Sequence, residues 1–277
     1  MADLVFDRDF DPQYGRAVTV APGVRRVTAR NAGPLTFLGT NTYIVGSRNV
    51  AVVDPGPDDD SHLAALLSAT AGENISDIVL THAHRDHSGA AVRLAAATGA
   101  MVHGKALGSP ITDGVVIGSQ GWQLETITTP GHARDHVVFA LAGRDLVFSG
   151  DHVMGWSTTV VAPPEGSMAE YRTSLDRLLA LSQDTYLPGH GGPIARAHNY
   201  VRALKEHRQG REVAICRALA ARPRTIPEIV AEVYTELDPA LAEAAGLSVL
   251  AHLDDLAARG RVAADDGASG TYRLTRD

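Results

Sequence analysis

Four side chains able to bind metals lie close together in the segment from Thr81 to His87, which reads Thr-His-Ala-His-Arg-Asp-His. In an extended chain alternate residues point the same way, so His82 and His84 can share one metal. A tighter turn after them can aim Asp86 and His87 at a second metal. Imidazole nitrogen and carboxylate oxygen are ligands for zinc or a similar first-row metal, and they suit a site that keeps positions open for water.

Three further ligand candidates, His132, Asp151 and His190, occur later in the chain. Each directly follows a glycine, and each comes soon after a predicted strand. Binding residues concentrate on loops that a rigid scaffold presents, so this repeated arrangement argues for a site. A single cluster at residues 82–87 would also be compatible with an ordinary surface.

The elements that must position these residues begin with short strands and continue with alternating strands and helices. Branched and aromatic runs between glycine and asparagine turns predict strands at 26–29, 35–37, 43–45 and 50–53. Leucine and alanine spacing predicts helices at 61–68 and 90–97, with a buried strand at 78–80 between them. The first half of the chain is thus expected to form a sheet covered by helices.

The middle of the chain predicts a second sheet with its own helices. Strands are expected at 122–128, 137–141, 146–148 and 184–187, with a hairpin turn at 142–145. One helical face predicts a helix at 168–181, and helix formers continue from 194 to about 221. The tail predicts helices at 226–235 and 248–259 and a hairpin at 261–274 turning at Asp266 and Gly267, which is typical of a winged helix. We therefore expect a catalytic domain at 1–207 and a winged-helix-like domain at 208–277.

Bulk properties restrict the class of protein. With 277 residues and 44% hydrophobic composition, the chain can bury a substantial core and a small second domain. The net charge of −7 argues mildly against broad binding to nucleic acid. The single cysteine, Cys216, predicts no internal disulfide, and the sequence has neither a signal peptide nor a membrane-spanning stretch, so we expect a cytoplasmic location and no membrane partner. The sequence does not determine the oligomeric state.

Residues 20–207 resemble the metallo-β-lactamase superfamily, which implies an α/β fold with four layers, an αβ/βα sandwich with metals at one edge between its two sheets. The resemblance implies a first metal site at His82, His84 and His132 and a second at Asp86, His87 and His190, with Asp151 bridging both. Asp54 then matches the structural aspartate below the site.

Further motifs narrow the resemblance. They lie at residues 39–44, 85–89, 150–151 followed by 158–160, and 207–208 followed by 211–212. The combination resembles the branch that contains β-lactamase-like endoribonucleases and related bacterial hydrolases, whose C-terminal domain is a winged-helix-like fold. One departure is Ala90, where many relatives have a second glycine, and we expect it to be tolerated.

The resemblance implies catalysis by two divalent metal ions, zinc in the first place, with iron or manganese accepted by the same ligands. Two metals roughly 3.5 to 4 Å apart can share a water and produce a bridging hydroxide at neutral pH. Asp86 is the candidate catalytic residue, which would orient that water or accept its proton. Substrate contacts are expected at six positions, each with packing or a solvated side chain as the alternative: Arg85, His136, Thr158, Thr159, His207 and Arg211. His136, just after the His132 loop, could also support the ligands from behind or donate a proton.

Three functions remain in competition. The first is hydrolysis of a small carbonyl substrate such as a thioester, ester or lactone. The second is endoribonuclease-type hydrolysis of RNA phosphodiesters, which the resemblance and the tail favour and the net acidity opposes. The third is a metal-dependent DNA-binding regulator, against which an intact hydrolytic ligand set argues. Five other histidines are expected to be ordinary, either solvated or with their hydrogen bonds satisfied: His62, His103, His152, His198 and His252.

Overall fold

The computed structural model describes residues 4–104, 107, 111–264 and 270–275. Its first sheet has six strands in sequential order, β1 to β6. They are β1 Val18–Ala21, β2 Val24–Thr28, β3 Asn41–Ser47, β4 Asn49–Val53, β5 Asn74–Val79 and β6 Met101–His103. The first four strands pair in antiparallel fashion, and β4, β5 and β6 are parallel.

The second sheet also has six strands, in the order β12-β11-β10-β9-β8-β7. They are β7 Val116–Ser119, β8 Trp122–Thr128, β9 Val137–Leu141, β10 Val147–Gly150, β11 Thr185–Pro188 and β12 Ile194–Ala195. Only β10 and β11 are parallel, and the other neighbours are antiparallel.

Seven α-helices complete the described part of the chain. They are α1 Asp60–Ala69, α2 Arg85–Ser88, α3 Ala91–Thr98, α4 Met168–Leu179, α5 Ala197–Ala220, α6 Ile226–Val233 and α7 Ala242–Ala258. Side-chain caps begin several of them: Asp59 accepts from the His62 amide at α1, and Ser167 accepts from the Glu170 amide at α4. These caps satisfy amides that have no partner inside the helix.

Three apolar clusters define a four-layer sandwich. The two sheets meet through inward residues such as Val45 and Phe139. Side chains alternate along a strand, so Ile44, the residue before Val45 in β3, packs on the opposite face of the sheet with Leu94 of α3. The outer face of the second sheet packs in the same way under α4 and α5. This architecture confirms the predicted αβ/βα sandwich.

The C-terminal part is a small winged-helix domain. Its sheet has the order β13-β15-β14, with β13 Arg224–Thr225, β14 Val262–Ala264 and β15 Thr271–Leu274. The end of α5 joins α6 and α7 in its core. The winged-helix prediction is confirmed, although the predicted turn at Asp266 and Gly267 lies outside the described residues.

Helix α5 belongs to both domains. Val201 and Leu204 pack in the core under the second sheet, whereas Ile215 and Leu219 pack in the winged-helix core. The helix continues without interruption across Arg208, the position where the sequence suggests a domain change. The two domains therefore share one continuous helix at their junction.

Two predicted elements are wrong in part. Residues 35–37 form no strand; they lie in a turn closed by the Gly33–Phe37 bridge, and Phe37 has a φ of 54°, which extended backbone does not allow. Residues 194 and 195 form strand β12, and helix α5 begins only at Ala197. Within the described ranges no helix has both the length and the apolar character needed to cross a membrane.

Candidate metal centre

The segment that carries four candidate ligands leaves the end of β5 at the edge between the two sheets. His84 has φ −58° and ψ 141°, so the chain is still extended there, and the single turn of α2 follows. The extended part presents His82 and His84 together, and the turn presents Asp86 and His87. Gly89 is required behind this turn, because an added Cβ would lie 2.5 Å from the Arg85 carbonyl oxygen.

The first group of ligands is formed by three histidines. The Nδ1 atom of His84 lies 2.9 Å from Nε2 of His82 and 3.1 Å from Nε2 of His132. Three imidazole nitrogens converge on one point, which is the arrangement a zinc-type ion requires.

The second group contains one carboxylate and two histidines. Oδ2 of Asp86 lies 3.3 Å from Nε2 of His87 and 3.3 Å from Nε2 of His190. The ligand atoms of each group lie within 4.8 Å of one another. The structure thus brings six of the seven ligand candidates, all except Asp151, into two neighbouring groups of three.

Asp151 lies between the two groups. Its Oδ1 is 3.4 Å from Nε2 of His87, and its Oδ2 is 3.4 Å from Nε2 of His190 and 3.8 Å from Nε2 of His132. One carboxylate therefore reaches ligands of both groups.

The donor atoms fit a pair of divalent metal ions. Nε2 of His87 and Oδ1 of Asp151 are buried, and neither has a hydrogen-bond partner among the described residues. Orphaned buried polar atoms are costly, and a cation between them would satisfy both. Nitrogen and carboxylate donors in this number suit zinc, iron or manganese.

The electrostatics of the cluster also favour cations. Burial raises the pKa of Asp151, but His190 and His87 outweigh this and hold it well below its usual range. Burial lowers the pKa of His190, yet the carboxylates of Asp151 and Asp86 raise it to about 9. Burial lowers the pKa of His87, but the carboxylates of Asp151, Asp54 and Asp86 outweigh this and raise it well above its usual range. Ionised carboxylates thus hold protons on these histidines, which metal ions would displace.

A further shell of contacts fixes the ligands. Oδ2 of Asp54 is 2.9 Å from Nδ1 of His87, and the Asp54 carboxylate also accepts from the amide and the hydroxyl of Thr81. The Nδ1 atoms of His132 and His190 donate to the carbonyl oxygens of Val160 and Gly39, respectively. Such partners fix the ring orientation and leave Nε2 free for a metal.

His136, predicted as a substrate contact or as support for the ligands, lies behind the candidate metal ligands. Burial, aided by His152 and His132, lowers the pKa of His136 well below its usual range, so the ring is neutral. Its Nε2 accepts from the amide of Asp151, and its Nδ1 is 2.9 Å from the hydroxyl of Thr129. This geometry supports the ligand backbone and leaves no ring nitrogen for a substrate.

The other predicted substrate contacts differ in their surroundings. Arg85 is exposed and has no partner in the described ranges, whereas Thr158 is half-buried. The Thr159 hydroxyl donates to the Asp151 carbonyl oxygen. Arg211 donates to the Val233 carbonyl oxygen and lies over the ring of Tyr234.

His207 is half-buried beside two arginines. Burial, followed by the charges of Arg211 and Arg208, lowers the pKa of His207 to about 4. Of the predicted substrate contacts, Thr159 therefore lies beside the candidate metal ligands, whereas Arg211 lies within the winged-helix domain.

Five histidines expected to be ordinary differ in their environments. His62, His103 and His198 have polar partners in Thr42, Asp77 and Asp184. His152 and His252 are fully buried, and neither of their ring nitrogens has a partner among the described residues. For these two the expectation of a satisfied or solvated side chain was wrong.

A pocket of 330 Å³ lies beside the ligand segment. Apolar residues form much of its wall, including Leu80, Ile111, Pro130 and Val137, and polar residues such as His82 and Arg134 line the rest. A concave, largely apolar space next to a polar centre is typical of a site for a small molecule.

Family comparisons agree with this geometry. The model described as "Metallo-beta-lactamase superfamily" matches residues 35–111 and 100–190, more than half of the chain. The chain belongs to the metallo-β-lactamase superfamily. A second model, "Beta-lactamase associated winged helix domain", matches residues 225–270 of this metallo-β-lactamase-fold protein. The resemblance seen in the sequence is confirmed.

Relatives within the metallo-β-lactamase superfamily include named enzymes. An atrochrysone carboxyl ACP thioesterase of Claviceps purpurea (strain 20.1) is 29% identical over 240 residues, which are 81% of this chain and 76% of that protein. A beta-lactamase-like protein 2 homolog of Caenorhabditis elegans is 32% identical over 239 residues, 78% of each chain. The expected enzyme class, a metallo-β-lactamase-fold hydrolase, is confirmed.

A solved structure shares the complete fold. A beta-lactamase domain protein from Burkholderia ambifaria superposes with a TM-score of 0.86 at 21% identity, covering 97% of this chain and 96% of that one. The superposition includes the winged-helix domain as well as the metallo-β-lactamase sandwich.

Sequence reasoning did not identify the roles of several residues that hold the centre. Gly189 makes room for the ligands, because a Cβ there would lie 2.5 Å from Oδ1 of Asp151. Tyr171 donates from its hydroxyl to the carbonyl oxygen of His152, and Arg208 donates to that of Thr159. The glycine before His190 was visible in the sequence, but no spacing rule connects Tyr171 or Arg208 to a loop so distant in the chain.

Proposed function

We propose that this chain is a dinuclear-metal hydrolase that cleaves an acyl thioester, with simple esters and lactones as related substrates. The observation that carries the proposal is the position of Asp151, whose two carboxylate oxygens face ligands of both three-residue groups. We assign His82, His84 and His132 to one metal, Asp86, His87 and His190 to the other, and Asp151 to both.

Two divalent ions at these groups would supply an activated water and a Lewis acid for the acyl carbonyl. The Asp86 carboxylate is the catalytic residue we assign. Its side chain is 28% exposed, so Oδ2 can meet both a water and the ligand histidines. The low pKa of Asp86, which His87 and His190 maintain against burial, keeps Oδ2 ionised to orient water or accept its proton.

A thioester fits this set of residues better than a substrate with a poor leaving group. A thiolate departs without protonation, so the ligand set needs no separate general acid. His136 would be the nearest buried candidate for such an acid, and its Nε2 already accepts from the Asp151 amide. The apolar pocket beside His82 offers space for the acyl part, and a thioesterase is among the relatives.

Cleavage of RNA and regulation through DNA have less support. In a winged helix the second helix of the helix pair commonly enters the groove of a nucleic acid. The corresponding α7 has no lysine or arginine from Ala242 to Ala258, and it is buried on two faces. Nucleic-acid surfaces require grouped basic residues.

Zinc is the metal we propose, because three histidines form the first group and histidine with carboxylate forms the second. The same donors accept iron and manganese, so metal analysis of the protein as purified is the direct measurement.

The test measures the metal content of the protein and its activity on a panel of substrates. We expect close to two metal equivalents per chain, and Asp151→Ala should lose metal and all hydrolysis because both groups lose a shared ligand. Asp77→Ala is the matched control, since Asp77 is also a carboxylate bonded to a histidine, His103, but lies far from the ligands along β5. Wild-type metal content and activity in Asp151→Ala would contradict the dinuclear mechanism.

The substrate panel compares short and long acyl thioesters, lactones and single-stranded RNA at equal enzyme concentration. We expect thioester cleavage that is lost with metal chelation. Hydrolysis of RNA alone would contradict the proposed substrate class and leave the metal assignment intact.

A further inference from the structure

Arg208 is a buried arginine without an acidic partner. Its side chain is 2% exposed, and no carboxylate within the described ranges pairs with it. Its Nη2 donates to the carbonyl oxygen of Thr159 at 2.5 Å, its guanidinium lies 5.2 Å from the ring centroid of Tyr171, and its Nε has no described partner. Burying an unpaired charge is costly, so the contacts that this side chain does make must offset that cost.

The segment that Arg208 contacts, Thr159 and Val160, forms hydrogen bonds to the proposed metal ligands Asp151 and His132. The Thr159 hydroxyl donates to the carbonyl oxygen of Asp151, and the next residue, Val160, accepts from Nδ1 of His132 at 2.7 Å. A two-residue segment therefore contacts a ligand of the first group and the residue between the groups.

No strand ladder fixes this segment, because residues 151–166 have no regular secondary structure. Side chains of the covering helices hold its carbonyl oxygens instead. Tyr171 of α4 donates to His152, and Tyr200 of α5 donates to Met154. Of these three donors, Arg208 is the one that bonds to Thr159, the residue before the partner of His132.

Helix α7 of the winged-helix domain lies close to Arg208, whose charge helps to lower the pKa of the buried His252. Ser248, Ala251, His252 and Asp255 of α7 are buried although they lie opposite the face that enters the winged-helix core. Ala251 joins the core under the second sheet. A hydrogen bond is stronger in such a water-excluded place than at the surface.

We propose that Arg208 is a positioning residue for the metal centre, through which helix α5 and the winged-helix domain hold His132 and Asp151 in their binding geometry. The Arg208 hydrogen bond fixes the Thr159–Val160 segment. Val160 then keeps the proton of His132 on Nδ1 and leaves Nε2 free for a metal. The proposal rests on the proposed metal centre, and it does not depend on the substrate being a thioester.

The test measures metal affinity by competition with a chromophoric chelator, using zinc as the probe on metal-free full-length protein. Loss of outer-shell partners of metal ligands typically lowers metal affinity about 10- to 100-fold. We expect a loss of that size for Arg208→Met, and a partial recovery for Arg208→Lys, whose ammonium can donate to the same carbonyl oxygen.

The matched control is Arg224→Met. Arg224 also donates to a backbone carbonyl oxygen, that of Ala218, and pairs with Glu232, all within the winged-helix domain. We expect Arg224→Met to lower the unfolding temperature and to leave zinc affinity within twofold of the wild type.

A second readout needs no metal. Nitrogen-15 NMR of the metal-free protein reports which ring nitrogen of His132 carries the proton. We expect the Nδ1–H form in the wild type and a mixture of both forms in Arg208→Met. In a double-mutant cycle with Thr159→Val, the effects on zinc affinity should be less than additive, because both changes act on one segment.

A folded Arg208→Met protein with wild-type zinc affinity and a pure Nδ1–H His132 would overturn the proposal. If Arg208→Met does not fold, Arg208→Gln, which keeps a polar head too short to reach Thr159, is judged by the same two measurements. A wild type that binds no metal would instead contradict the proposed function.

Discussion

Two glycines near His190 show how closely the ligands are packed at the scale of single residues. A Cβ on Gly189 would lie 2.5 Å from Oδ1 of Asp151 and 2.6 Å from Cε1 of His87. A Cβ on Gly192 would find its nearest neighbour, Phe10, at 3.7 Å. The first position has no room beside the ligands, and the second has ordinary space.

Gly189→Ala is therefore expected to displace Asp151 and His87 and to lower zinc affinity by at least about 10-fold. Gly192→Ala, in the same loop, is expected to bind zinc like the wild type. Isothermal titration of the metal-free proteins with zinc compares the two directly. Equal affinities for the two variants would show that the ligands tolerate displacement.

Helix α7 decides how the two domains fit together at the scale of the element. Val249, Leu253 and Leu256 face the winged-helix core, while Ala251 reaches the core under the second sheet. A closed set of ion pairs joins α4, α5 and α7 at the same junction through Arg172, Glu212, Asp255 and Arg259. The helix is thus an internal layer between domains.

Ala251→Arg is expected to destabilise the protein by about 1 to 3 kcal/mol, because a long side chain is forced into a filled interface. Ala257→Arg is the control on the same helix, where residue 257 is exposed. Urea unfolding gives the free-energy difference, and hydrogen exchange should show faster exchange across α7 only in Ala251→Arg. Equal unfolding midpoints for Ala251→Arg and Ala257→Arg would mean that Ala251 does not contribute to the packing between the two domains.

At the scale of the whole molecule, buried histidines connect stability to pH. Burial, with the charges of Arg208, Arg172, Arg259 and His207, lowers the pKa of His252 to about 3. The unfolded chain takes up a proton near pH 6.5, whereas the folded protein keeps this ring neutral. Stability from His252 is therefore complete above pH 6.5 and declines as the pH falls towards 3.

At pH 5 this one residue accounts for a loss of about 2 kcal/mol relative to pH 7.5. His252→Gln should reduce the fall in unfolding free energy of the metal-free protein between these pH values by that amount. His103→Gln serves as the comparison, because His103 is paired with Asp77 at a more accessible position. An unchanged pH dependence in His252→Gln would indicate that the unfolded and folded states protonate this residue equally.

The sequence by itself predicted the hydrolase class and most of the fold. Each of the seven ligand candidates follows the end of a strand. Strand and helix periodicity is a local property of the sequence, so the strands at 122–128 and 137–141 were predicted with the bounds observed. Periodicity does not predict turns, as the wrongly predicted strand at 35–37 shows. Phe37 adopts a positive φ there, and the hydrophobic pattern gives no sign of it.

Only the tertiary structure decided how the ligands are held. Arg208 reaches the Thr159 carbonyl oxygen across 49 positions of the chain, and the Nε2 atom of His136 accepts from the Asp151 amide. Which face of α7 is covered, and by what, also follows from packing between distant segments. Such contacts depend on where helices and loops that are distant in the sequence meet in space. Residue type and local spacing do not predict these positions.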